Sequence, residues 1–120
     1  MSQQSRSLRE ILGLSRLERL VVEYFIKHIS AGEIIAVLDL KEEVKKRLSM
    51  GETDLVSEAE DAVIVRELYI ALASLVKKDF LVYNNGVYRL SDWIIQEIKS
   101  KLGSLQPGKS KPLEKILEKG

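Results

Sequence analysis

The dipeptide Asn85-Gly86 lies between two short apolar runs, Phe80–Tyr83 and Val87–Leu90, and constrains this chain more than any other feature. A two-residue type I′ turn needs positive φ at both central positions, and Asn-Gly is its favoured sequence, so this stretch predicts a β-hairpin. Just before it, the segment EAEDAVIVRELYIALASLVKK reads as one long helix from about Glu58 to Lys78. A helix, a reversal and a two-stranded ribbon therefore follow one another directly. Few small folds accommodate that order.

The remaining segments are read around this unit. Leu17, Leu20, Val21, Tyr24, Phe25 and Ile29 fall at the i, i+3, i+4 spacing of one buried helical stripe. Ser15 and Glu18 form a capping box at its start, and Gly32 fits its end. Upstream, Leu8, Ile11, Leu12 and Leu14 predict a short helix or arm within residues 1–14. EIIAVLD, Glu33 to Asp39, is short, apolar and β-branched, and is read as a strand. Asp39 and Glu42 form a second capping box that opens a helix with Leu40, Val44 and Leu48 inward. Met50 to Ser57 is a loop. Ser91 caps a last helix, DWIIQEIKSKL, and residues 103–120 form a basic, linker-like tail.

Composition removes several function classes. With 120 residues the chain is read as one domain, and 45% apolar with 31% charged residues is a globular balance. No apolar run approaches the roughly 18 residues of a membrane span. The start MSQQSRSLRE lacks a secretory signal's apolar centre, so a cytoplasmic protein is expected. Zero cysteines exclude disulfides, iron–sulfur clusters and thiolate zinc sites. Abundant Lys, Glu, Ile and Leu with few amides lean towards a heat-adapted source. His28 is the only histidine and is read as a half-buried or surface residue; no P-loop, nucleophile elbow, zincin or EF-hand spacing occurs. No catalysis, metal, cofactor or small-molecule substrate is expected.

The order helix, short strand, helix, helix, hairpin, helix over residues 15–102 resembles the winged helix-turn-helix family. LASLVKKDFLVYNNGVYRLSDW carries the likeness most specifically, with Leu72 and Leu75 inward, Phe80, Leu81 and Val82 starting a wing, and Tyr88, Leu90 and Ser91 closing it. Asp79 stands where the family's usual glycine does; Asp tolerates the left-handed backbone needed there. The resemblance implies an α+β, mostly helical winged helix: a three-helix core, a short strand plus a two-stranded hairpin wing, and a C-terminal helix. It further implies that the outer face of the long helix enters a DNA major groove. Those outward positions are Arg66, Glu67, Ile70, Ala73, Ser74 and Lys77. Double-stranded DNA would then meet Lys41, Lys45, Arg66, Ser74, Lys77, Lys78 and Arg89.

Local chemistry pulls the other way. Residues 1–98 carry 13 basic and 16 acidic side chains, and the excess of lysine is confined to residues 99–120. A cationic field over the whole domain, the usual footprint of a nucleic-acid binder, is missing. Glu52 to Asp61 holds five acids and no base, and the turn Asn84-Asn85-Gly86 is short and uncharged. Ile70, Ala73 and Val76 make the long helix apolar on more than one side, as in a helix covered on both faces. Ile95, Ile98, Leu102 and Leu105 have the spacing of a short coiled-coil seam, which serves either a homodimer or the chain's own core. Two readings follow: a non-enzymatic DNA-binding regulator or DNA-associated factor, expected to be dimeric, or a winged helix that docks a protein partner through the long helix and the acidic segment.

Overall fold

A computed structural model describes residues 6–102. Its order is a short 3-10 helix (Leu8–Gly13), α1 (Arg16–His28), β1 (Ser30–Gly32), α2 (Glu33–Ser49), α3 (Asp61–Lys77), β2 (Leu81–Asn84), β3 (Val87–Leu90) and α4 (Asp92–Leu102). The protein is α+β and mostly helical, with one antiparallel sheet ordered β1-β3-β2. Among the described residues these strands are its only sheet.

The hairpin forms as its sequence predicts. Asn85 and Gly86 take φ of 51° and 78°, the type I′ signature, and β2 pairs with β3 from Leu81↔Leu90 to Asn84↔Val87. Asp79 adopts φ 64° and becomes a hub. The Trp93 indole donates to its carbonyl at 2.6 Å, and the Ser91 hydroxyl donates to its Oδ1 at 3.2 Å. A side chain that accepts hydrogen bonds offsets the conformational cost that glycine would avoid. Ser91 immediately precedes α4, whose Ile94 and Ile95 amides donate to the Ser91 carbonyl.

α1 also forms as expected. Ser15 accepts from the Glu18 amide, and Glu18 returns the bond to the Ser15 amide. Of its expected stripe, Leu17, Leu20, Val21 and Phe25 are buried in one core with Ile64, Leu68, Leu72 and Leu75 of α3, Tyr24 and Ile29 are half-buried against it, and Val22 and Ile26 are buried as well. Leu8 and Ile11 of the 3-10 helix are fully buried in that same core, so this upstream segment packs on its own chain.

The stretch from Glu33 to Asp39 is a correction. It is the first two turns of α2, not a strand, and the pairing strand is the preceding Ser30–Gly32, set against Arg89, Tyr88 and Val87. The reversal comes at Ile29, with φ 70°, instead of at Gly32, which is the N-cap of α2. Asp39 opens no helix; it lies inside one and accepts the Tyr24 hydroxyl at 2.7 Å. An unbroken apolar run has no readable period, so its length and branching suggested a strand. α3 starts at Asp61, three residues later than its sequence suggested.

Candidate interaction surface on the second and third helices

The cations proposed to meet DNA are mostly engaged within the molecule. α2 and α3 run antiparallel: Glu33 at the start of α2 meets Tyr69, while Lys41 and Lys45 meet Asp61 at the start of α3. The Lys45 ammonium lies 3.1 Å from Asp61 Oδ1, and Lys41 lies 3.7 Å from Oδ2. The Lys45 hydrogen bond holds the Asp61 carboxyl below its usual range, and Lys45 is raised in turn. Arg89 pairs with Asp92 at 2.7 Å.

Ser74 and Lys78 serve a buried carboxylate. Glu18 of α1 is 8% exposed. It accepts the Ser74 hydroxyl at 2.6 Å, the Lys78 ammonium at 3.2 Å and the Ser15 amide at 3.0 Å. Burial pushes its pKa up, but the bonds from Ser74, Ser15 and Lys78 outweigh that and bring it below the usual value. This cluster locks α1 to α3. Among the described residues, only Arg66 and Lys77 of the seven positions stand exposed on α3 outside any ion pair.

The acidic segment is likewise partly engaged by cations of the molecule. Arg16 bridges Glu52 at 2.8 Å and Asp54 at 3.0 Å, and Asp61 is held by α2. Leu55 and Val56 between them are buried, and Ser57 bonds Glu67 of α3. Of the five acids in this segment, Glu58 and Glu60 are exposed outside ion pairs. The segment straps the loop to α1 and α3, and most of it is taken up in doing so.

What the surface does present is apolar. Ile34, Ile35 and Leu38 in the first two turns of α2 are 64%, 62% and 52% exposed, and Ile70 of α3 is 63% exposed. Single exposed apolar residues need no explanation, but three within five positions of one helix form a patch. Ile34 and Leu38 share a helical stripe with Lys41 and Lys45, the residues that reach α3, so they lie along the α2–α3 groove. Its end is clasped by Glu33, which accepts the Tyr69 hydroxyl at 2.9 Å and the Tyr83 hydroxyl at 2.6 Å. Those two bonds, Tyr83 first, lower the Glu33 pKa and raise both phenols. The Glu33 amide donates to the Gly86 carbonyl at 2.8 Å, which ties α2 to the hairpin turn.

Ile70 was singled out from the sequence; Ile34, Ile35 and Leu38 were missed. The signal was present: a run apolar at nearly every position cannot bury all its side chains if it is helical. Of the seam residues on α4, Ile98 is fully buried in the chain's own core and Ile95 is half-buried. The Leu102 side chain and Leu105 lie outside the described part. His28 is half-buried and packs at a 40° tilt against Tyr24, with ring centroids 4.3 Å apart. Among the described residues no group of three or more His, Asp or Glu is placed to hold a metal. No helix there is long and apolar enough to cross a membrane.

No curated protein and no solved structure matches the chain. Against protein families, residues 15–96 match the one described as PolB1 Binding Protein 2, and the match runs from the α1 cap through the hairpin into α4. It takes in the α1–α3 lock, the α2–α3 groove and most of the chain. The protein belongs to the PolB1 Binding Protein 2 family.

Proposed function

We propose that this protein is a non-enzymatic accessory factor that docks on PolB1, the partner its family is named for, read here as DNA polymerase B1. In this reading the fold is a winged helix put to protein binding. The element order, the Asn85-Gly86 hairpin and the antiparallel α2–α3 pair support that assignment.

The observation that carries the proposal is the division of surface chemistry between charge and apolar area. Five of the seven side chains assigned to DNA are bound up internally: Lys41 and Lys45 by Asp61, Ser74 and Lys78 by Glu18, and Arg89 by Asp92. A duplex reader needs several free phosphate contacts. The apolar groups on α2 and α3 stand exposed instead, as suits the desolvated centre of a protein interface.

Calorimetric titration of the full chain into purified PolB1, beside a parallel titration into duplex DNA, tests the reading. The expected result is a saturable complex with the polymerase and no duplex binding at physiological salt. Duplex binding that falls steeply with rising salt, together with no heat from PolB1, would replace this reading with DNA recognition.

A further inference from the structure

We infer that the surface which docks on PolB1 is the outer face of α2 and α3, and that it receives an apolar segment of the polymerase flanked by carboxylates. This deepens the docking reading above and rests on it. Arg66, Ile70 and Lys77 lie exposed on the outer face of α3, Ile70 four residues after Arg66 and seven before Lys77, so an apolar residue stands between two cations. Glu67, the one carboxylate nearby on that helix, is drawn away to Ser57. Across the groove, Ile34 and Leu38 extend the apolar centre, with the exposed Ile35 beside them on α2. Neither cation has a carboxylate partner among the described residues, and the exposed Glu42 lies on α2, not between them, so a carboxylate of the ligand would complete the α3 side of this surface. An acidic and apolar segment fits; a basic one does not.

Another exposed apolar area exists on the outer side of the sheet. Val82 and Val87 are 36% and 41% exposed, on the face opposite Leu81, Tyr88 and Leu90. Its neighbouring cation, Arg89, is already paired with Asp92, so that face carries no unmatched charge to select a partner. It makes a suitable control.

The test measures PolB1 binding to three full-chain variants, each first checked for an unchanged melting temperature. All substituted side chains are exposed, so folding is expected to persist. Ile34→Asp with Ile70→Asp should weaken binding by at least about tenfold, as loss of central apolar contacts does. Arg66→Glu with Lys77→Glu should weaken it severalfold and flatten its dependence on salt. Val87→Asp should leave it unchanged. Should wild type bind while the first two variants bind equally well, or should Val87→Asp be the damaging change, the outer face of α2 and α3 is not the docking surface. That outcome leaves the docking reading standing. If wild type does not bind PolB1 at all, the docking reading fails and this one with it. A gain of duplex binding in wild type that Arg66→Glu with Lys77→Glu abolishes would also overturn the assignment.

Discussion

α1 and α2 are adjacent in the chain, similar in length and rich in the same aliphatic residues, yet they use them differently. On α1 the apolar side chains Leu17, Leu20, Val21, Val22, Phe25 and Ile26 are all buried. On α2 the inner side supplies Ala36, Val37, Leu40 and Val44, while Ile34, Ile35 and Leu38 stay in solvent. Among the described residues, the fold uses one face of α2 and leaves Ile34, Ile35 and Leu38 on the other exposed. Burying that second face would release about 25 cal/mol per Å² of apolar surface, a driving force available to a partner and not to folding. The difference separates residues that make the domain from residues left for the proposed contact.

The comparison can be broken first at Phe25. It is fully buried on α1 and packs edge-on against Tyr24 at 5.1 Å. Phe25→Ala should lower the unfolding free energy by about 3–5 kcal/mol, measured by urea denaturation. A loss below about 1 kcal/mol would mean that α1 is not the core helix described here.

Next in size is Glu18→Gln, which removes a charge that Ser74 and Lys78 both serve. It should cost about 1–3 kcal/mol at neutral pH. The sign of its pH dependence follows from its lowered pKa. The folded carboxylate holds its proton less tightly than the unfolded one, whose pKa is near the usual 4.5. Its stabilising contribution is therefore complete above that value and is lost as pH falls through the lower folded pKa. Acid denaturation curves should be steeper for wild type than for Glu18→Gln. Equal slopes would show that the α1–α3 lock does not depend on charge.

Gly86→Ala sharpens the contrast from the other side. A Cβ at Gly86 meets no atom within 4 Å, so the cost comes from the φ of 78° alone, about 1 kcal/mol. Because the Gly86 carbonyl holds the first amide of α2, PolB1 binding should weaken along with stability. A loss of stability with unchanged affinity would detach the hairpin turn from the placement of Ile34.

The smallest expected effect is the most telling. Ile34→Ser should change stability by no more than about 0.5 kcal/mol, since the side chain is largely solvated. A destabilisation comparable to that of Phe25→Ala would erase the distinction between the two helices.

Much of the fold was legible because local signals agreed with one another. Ser15 and Glu18 announced the start of α1, and Asn85-Gly86 announced the hairpin, through chemistry confined to a few neighbouring residues. Glu33 to Asp39 was not legible. The branched residues that made it read as a strand include the two isoleucines left exposed in the helix, so what obscured the secondary structure is also the candidate contact surface. The internal partners of the DNA-contact positions were not legible for a different reason. A lysine looks available in a linear sequence, and the carboxylate that occupies it can be twenty or more residues away, as Asp61 is from Lys41 and Glu18 is from Lys78.

By itself, the sequence determined where α1 begins, where the ribbon turns and which stripe of α1 is apolar, because each depends on interactions a few residues apart. Tertiary structure alone decided that Ser30–Gly32 is the pairing strand, that Glu18 takes up Ser74 and Lys78, and that Ile34, Ile35 and Leu38 go uncovered. Burial and ion pairing depend on which distant segments meet, and that is settled only when the whole chain packs.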